Sequence, residues 1–443
     1  MKQAVELYRV AGSCFGHMGA QRGGRLVLSL FFKAVLGIQR LFHFDSLTDT
    51  GFALLTGGPS ILSRRTLGQW VRAVSTRSVN TFMRLTQPGV QKAQSLWLSI
   101  DEHTVARFTR KFLIPKGFHT IRNKLMRAEK LFFCFDTVGR TLLSLLVTPG
   151  NGRLAQVSSL LLGQLRARSP KSLVRVVLDA GAAHNNSELF ALADKHPHQV
   201  LLVRTPRRTS YLKKWQALPQ KRFTSYAEPG PYKGARPKLI HVAETSTPLR
   251  AGKAVRNVRT LVVREEGRRG KDRWHALFIF RDNATAPLSL IQEFRARQHH
   301  EQTYRILLHD AFVDTVPSGY NKLSPNPDKP GFRKNAITLY AWLAGLAVNA
   351  LRSFTDVLPP QFKFAHPRTL RRWWLSFPAD LYLSDKALFV VLRPRWHRDW
   401  WQERILHLNA QKIRIPWLGE RLLLYALDTL PRAEPPGDPS EAS

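Results

Sequence analysis

Three acids and an arginine stand where they could hold a metal ion beside a phosphate. Asp101 and Asp179 each close an apolar run of strand length, LWLSID and VRVVLD. A carboxylate next to such a core is costly unless it is paired, hydrogen-bonded or metal-bound. Ligands of open α/β sheets gather at the carboxyl ends of the strands. Two carboxylates converging there repel each other, and a divalent cation relieves the repulsion. Taken singly, each Asp is more readily the first residue of a loop. The third acid, Glu301, lies in SLIQEFRARQHHEQTYRILLHDAF, a stretch without Gly or Pro. Phe294, Arg297, Glu301, Arg305 and Leu308 recur there at steps of three and four, which puts them on one face of a helix. A carboxylate flanked by cations on that face could close a metal site and hold a phosphate; the plainer alternative is a solvated charged face. Other chemistries find less support. His103, His299, His300 and His309 form neither an HExxH pair nor a Cys/His ligand set for zinc. A GxxxxGK(S/T) phosphate loop is absent, so no nucleotide cofactor is expected.

The elements that must position these residues follow a readable order. SLWLSID (95–101), LFFCFD (131–136) and TLLSLLV (141–147) read as strands, the last two joined by a short turn that Asp136 opens. Leu154, Val157, Leu161 and Leu165 mark a helix. LVRVVLD (173–179) is an apolar run of strand length, compatible with a strand buried on both faces. A helix starting at Asn186 or Ser187 and a strand QVLLVR (199–204) complete a β-β-β-α-β-α-β series. That order implies an α/β fold, a mixed five-stranded sheet covered by helices. Six regions are expected: a helical part over 1–92, the first part of a core over 93–204, a strand-rich insertion over 205–284, a helical last part of the core over 285–357, a basic and aromatic region over 358–430, and a disordered Pro-rich tail over 431–443.

Composition narrows the partners. The chain has 443 residues, 68 Lys and Arg against 31 Asp and Glu, and a net charge of +37. A globular chain this basic repels itself unless it spends time beside a polyanion, and nucleic acid is the default. No isolated basic amphipathic anchor points to a membrane surface. The run Leu26–Phe32 is short and Lys33 and Arg40 follow it, so about 20 unbroken apolar residues never accumulate there; residues 26–43 read as a packed helix. Only Cys14 and Cys134 are present, which fits a reducing interior.

Taken together, these features resemble the RNase H-like catalytic core of bacterial insertion-sequence DDE transposases, in particular the group whose core is interrupted by a β-rich insertion before the last acid. In that group the first Asp lies on the first strand, matching Asp101. The second lies on the fourth strand before a small residue and Gly, matching Asp179-Ala180-Gly181. The last helix carries Tyr, two residues, Arg, three residues, Glu, six residues, Lys. Phe294, Arg297, Glu301 and Leu308 fall at those positions, so Arg and Glu agree while Tyr is replaced by Phe and Lys by Leu. Arg305 or His309 could supply the missing cation from a neighbouring turn. Pro149-Gly150-Asn151 and KNAITLYAWLAGLAVNAL (334–351) also fit the group. The resemblance spans roughly residues 95–355. It implies a transposase that cuts at transposon ends and joins them to target DNA, with Asp101, Asp179 and Glu301 as catalytic ligands of two Mg2+ (or Mn2+) ions and Arg297 on a phosphate. It also implies double-stranded DNA as partner, a homodimer in the synaptic complex, and a place in the bacterial cytoplasm on the nucleoid. A catalytically silent DNA-binding descendant and a nuclease that never joins are the alternatives.

Further DNA contacts are expected outside that core. SRRTLGQWVRAV reads as a helix capped by Ser63, with Leu67, Trp70, Val71 and Val74 inward and Arg64, Arg65 and Arg72 available to DNA. With the helical stretch and Gly57-Gly58-Pro59 turn before it, it could form a helix-turn-helix; an ordinary bundle with a basic face is the competing reading. Arg371, Arg372, Trp373 and Trp374, and later Arg393, Arg395, Trp396, Arg398, Trp400 and Trp401, mix cations with aromatics, as a strand-binding surface or a core would.

Overall fold

Five helices open the chain: α1 (Lys2–Cys14), α2 (Ala20–Leu36), α3 (Thr50–Leu55), α4 (Arg64–Ala73) and α5 (Thr76–Thr86). This computed structural model describes residues 1–89, 95–107, 116–119, 122–167, 173–228, 237–267, 272–315, 334–363 and 365–428. The tail expected to be disordered lies outside them. The apolar run at 26–32 is the buried body of α2. Ser63 caps α4, its hydroxyl accepting from the Thr66 amide at 3.2 Å, and Leu67 and Val71 turn inward. The expected helix-turn-helix pairing needs correction. Residues 56–63 make the link from α3 to α4 longer than the three or four residues of such a turn. The tight joint lies instead between α4 and α5, across Val74 and Ser75, with Ser75 capping α5.

Residues Pro88–Tyr304 form one of two compact units. Its strands are β1 (Ser95–Ala106), β2 (Lys116–His119), β3 (Lys124–Asp136), β4 (Leu142–Pro149), β5 (Leu173–Leu178), β6 (Val200–Arg204), β7 (Phe223–Glu228), β8 (Lys238–Ala251), β9 (Ala254–Glu265) and β10 (Arg273–Phe280). Helices α6 (Leu154–Arg166), α7 (Asn186–Lys195), α8 (Thr209–Gln216) and α9 (Pro287–Ala296) accompany them, and α10 (Gln298–His309) follows. The strands make one ten-stranded mixed sheet in the order β2-β3-β1-β5-β6-β10-β9-β8-β7, with β4 also on β3. The sheet is therefore not the five-stranded one expected. The five expected strands are present, but β10 pairs antiparallel with β6 and carries the insertion's strands into the same sheet. The physical reason is the edge. β6 is buried along its length, and an apolar strand left unpaired would expose a row of free amides and carbonyls.

Alternation sorts the side chains of this sheet. Leu98, Ile100, Val176, Leu178, Leu201 and Val203 pack with α6 and α7 on one face. Trp97, Val177 and Leu202 pack with Leu290, Ile291 and Phe294 of α9 on the other. β5 is thus buried on both sides, as its composition requires. Gly150 of the Pro-Gly-Asn triplet has a backbone reason: a Cβ there would meet the Gly117 amide nitrogen and the Ala128 carbonyl oxygen at 2.9 Å.

Residues Met1–Gln87 and Arg305–Ser443 form the other unit. It adds α11 (Asn335–Thr355), α12 (Pro367–Leu370), α13 (Arg398–Ala410) and a four-stranded sheet of β11 (Ala379–Leu383), β12 (Ala387–Leu392), β13 (Arg414–Ile415) and β14 (Arg421–Leu427). Helix α11 is long and apolar enough to cross a membrane by composition, but 67% of its most apolar window is buried within the protein. The Arg-Trp segments resolve mainly into core. Trp374 is fully buried, His397 stacks on it at 4.4 Å, and Trp400 and Trp401 close around it.

Candidate active site

The sheet brings Asp101 and Asp179 side by side. β1 and β5 run parallel with Ile100 opposite Leu178, so the next residues of both strands are lateral neighbours, one strand spacing of about 4.8 Å apart. By alternation both acids project to the face that carries α9, as Val177 does. Asp101 does not end its strand, however. β1 runs on to Ala106, paired with β3 as far as Ala128. That extension is held by cross-strand charges, Lys130 to Glu102 at 2.9 Å and Arg107 to Glu129 at 2.5 Å. Asp136, by contrast, is a turn residue, its carboxylate accepting from the Val138 and Gly139 amides.

The expected long helix is present with one irregular residue, Arg297, which keeps helical backbone angles (φ −57°, ψ −27°). Arg297 joins α9 to α10, its amide bonded to the Phe294 carbonyl rather than one residue farther back. Glu301 stands in the first turn of α10, its side chain 59% exposed. Tyr304, one turn later, ties the helix to the sheet. Its hydroxyl donates to the Asp101 carbonyl at 2.6 Å and is also bonded by the Phe133 backbone, and Asp101 and Phe133 are register partners of β1 and β3. The Tyr304 ring meets Phe133 and Phe135 edge-on at 5.3 and 6.0 Å. Burial holds its phenol well above the usual tyrosine range, so it stays a neutral donor.

Arg297 gathers the three acids. Its Nη1 lies 2.9 Å from Asp101 Oδ2, and its Nη2 lies 3.7 Å from Asp179 Oδ1 and 4.0 Å from Glu301 Oε1. The Arg297 side chain is only 7% exposed. Burial pushes the Asp101 carboxyl up to about 7 against the pull of Arg297, and Asp179 adds to the upward push. Asp179 Oδ1 is buried and makes no hydrogen bond; Arg204, at the end of the neighbouring β6, stands 3.6 Å away. An unsatisfied carboxylate oxygen beside two more acids is an oxygen donor set of the kind hard divalent cations take. Among the described residues no three His, Cys, Asp or Glu side chains are close enough to bind a metal as they stand; Arg297 is within 4.0 Å of each of the three acids.

Two site residues were not singled out by sequence reasoning. Tyr304 is an aromatic three residues after Glu301, on the same helix face. Arg204 becomes visible only through the β5–β6 register, where Leu178 opposite Val203 makes Asp179 and Arg204 neighbours. A cavity of about 970 Å³ opens beside Asp179, with Arg153, His184, Arg208 and Arg250 in its wall. Of the cations expected to meet DNA, Arg64, Arg65, Arg72 and Arg305 are exposed. Arg64 is also paired with Asp45 at 2.9 Å. Arg305, Arg64, Arg65 and Arg72 belong to the unit that does not contain the acids. The side chains of His299 and His300 lie outside what the structure describes.

No family model matches the chain, and no curated protein matches it. Among solved structures it is similar to a piggyBac transposase in a synaptic complex with hairpin DNA, at 12% identity and a TM-score of 0.40, over 80% of this chain and 70% of that one.

Proposed function

We propose that the chain is a DNA transposase that uses Asp101, Asp179 and Glu301 to hold Mg2+ or Mn2+ at an RNase H-like core. The observation that supports this best is the convergence of all three acids on one buried arginine, two of them from adjacent parallel strands and the third from a helix reached only after the insertion. Two ions bound there would stabilise the attacking and leaving oxygens of an in-line displacement at phosphorus. The protein's own part is to fix the carboxylates: β1 and β5 set the spacing of Asp101 and Asp179, and Tyr304 sets Glu301 above them. The cations in the wall of the adjoining cavity would follow the phosphate backbone. The exposed Arg64, Arg65 and Arg72 on α4 would engage transposon-end DNA, and two copies would act together on both ends, in the bacterial cytoplasm.

A second reading, a DNA-binding descendant without catalysis, has one observation in its favour: an arginine stands where a cation would have to enter. One experiment separates them. Asp101→Asn, Asp179→Asn and Glu301→Gln should each abolish Mg2+-dependent nicking and joining of a labelled end fragment while leaving DNA affinity intact, because an amide keeps the shape and loses the charge. Asp136→Asn should stay active. Nicking near the wild-type rate by all three core variants, or none by the wild type, would remove catalysis from the proposal.

A further inference from the structure

We infer that Arg297 is a resident counter-cation of the acid cluster that divalent metal displaces onto a DNA phosphate, so that metal and DNA bind cooperatively through this side chain. The inference rests on the reading of Asp101, Asp179 and Glu301 as metal ligands.

The geometry is that of a surrogate ion. One guanidinium lies within 4.0 Å of all three carboxylates, and its hydrogen bond to Asp101 is charge-assisted at 2.9 Å. The side chain is nearly excluded from water, and its guanidinium carbon lies 5.5 Å from the centre of the Phe294 ring. A buried cation without these acids would be strongly unfavourable. A divalent ion needs the same oxygens at about 2.0–2.6 Å. It cannot share them with a guanidinium that occupies the space between them, and its charge repels the arginine. The residue stands at the joint between α9 and α10 rather than inside either helix. Once released, it needs another anion. With two divalent ions in its place the cluster goes from −2 (three carboxylates and one guanidinium) to +1 (three carboxylates and two ions), from a group that repels phosphate to one that attracts it. Metal binding therefore prepares the phosphate site twice, by neutralising acids and by freeing a bidentate donor. Linkage makes the effect reciprocal: whatever metal does for DNA affinity, DNA does for metal affinity.

The test uses the full-length chain, Mn2+ followed by electron paramagnetic resonance without DNA, and end-fragment binding by anisotropy with and without Ca2+. Arg297→Gln should bind Mn2+ about tenfold more tightly than wild type, since the competing charge is gone. Arg297→Lys, which keeps the charge, should stay near wild type and serves as the folded control. In Ca2+, wild-type affinity for DNA should rise, and its dependence on salt should steepen by about 0.9 in log–log slope, one phosphate contact. In Arg297→Gln that steepening should be absent. Equal Mn2+ affinity in Arg297→Gln and wild type, or an equal gain in salt slope, would overturn the inference while leaving the metal site intact. Mn2+ binding that Asp101→Asn fails to weaken would instead strike the metal reading itself, and the inference with it.

Discussion

Replacing Tyr304 by Phe removes one oxygen and keeps the ring. The ring's edge contacts with Phe133 and Phe135 remain, so packing changes little. The lost hydroxyl is the donor to the Asp101 carbonyl at 2.6 Å, in a place where Tyr304 is 8% exposed and water does not substitute. A buried carbonyl deprived of its partner costs about 1–3 kcal/mol. The lower half of that range applies here, because Asp101 keeps its strand pairing with Phe133. The urea midpoint should therefore fall by the equivalent of about 1.5 kcal/mol at unchanged slope. Hydrogen exchange should place the loss in β1 and β3. The functional effect follows from the helix. Glu301 lies three residues before Tyr304, on the same face, so the hydroxyl fixes how far Glu301 stands from Asp101. Nicking should slow about tenfold in kcat with little change in the KM for DNA, the pattern of an interaction needed at the transition state rather than for binding. Assays well below the melting range keep the stability loss from counting as lost activity. A Tyr304→Phe protein as stable and as fast as wild type would show that α10 is positioned by something other than this bond.

Two further outcomes are expected. Arg64, Arg65 and Arg72 changed together to Ala should weaken end-DNA binding and flatten its salt dependence by up to about 0.9 per lost phosphate contact, with the fold unchanged because all three are exposed; unchanged affinity and slope would assign α4 to packing alone. Lys33, buried with its ammonium on the Tyr340 hydroxyl at 2.7 Å and the Gln39 carbonyl at 3.1 Å, is pushed down to about 7 by burial. The unfolded chain then binds the extra proton between pH 7 and about 10.4, so stability should rise with pH across that window, by at most about 5 kcal/mol. Lys33→Met should rise less steeply across it than wild type, and urea midpoints at pH 7 and 9 decide the point.

What could be read from the sequence, and what could not, divides along the range of the interactions. The strands at Asp101 and Asp179 and the helix bearing Glu301 come from local periodicity, which needs only neighbours. The length of β1 past Asp101 does not, since EHTVA looks like a polar loop until Lys130 and Glu129 of β3 are set diagonally across from Glu102 and Arg107. The same holds for the sheet. Nothing in RWHALFIF says which strand it joins, but β6 is apolar on both faces and has to be covered at its free edge. The shift of hydrogen bonding at Arg297 is equally hidden, because the segment contains no Gly or Pro to announce it.

Arg297 carries the sharpest difference between the two levels. Helix spacing places it beside Glu301 and gives it a cation's choice of anions, and a phosphate is the natural assignment in a chain of +37. Spacing cannot show that Asp101 and Asp179 approach the same point from the sheet. Once they do, electrostatics leaves little freedom. Carboxylates gathered at one place repel each other, and positive charge among them relieves that whether or not a metal ion is bound. The arginine that would grip the substrate is the nearest way to supply it. On the proposed reading, the site folds without its ions by using a residue of its own in their place, and that residue would be released for a second task when they bind.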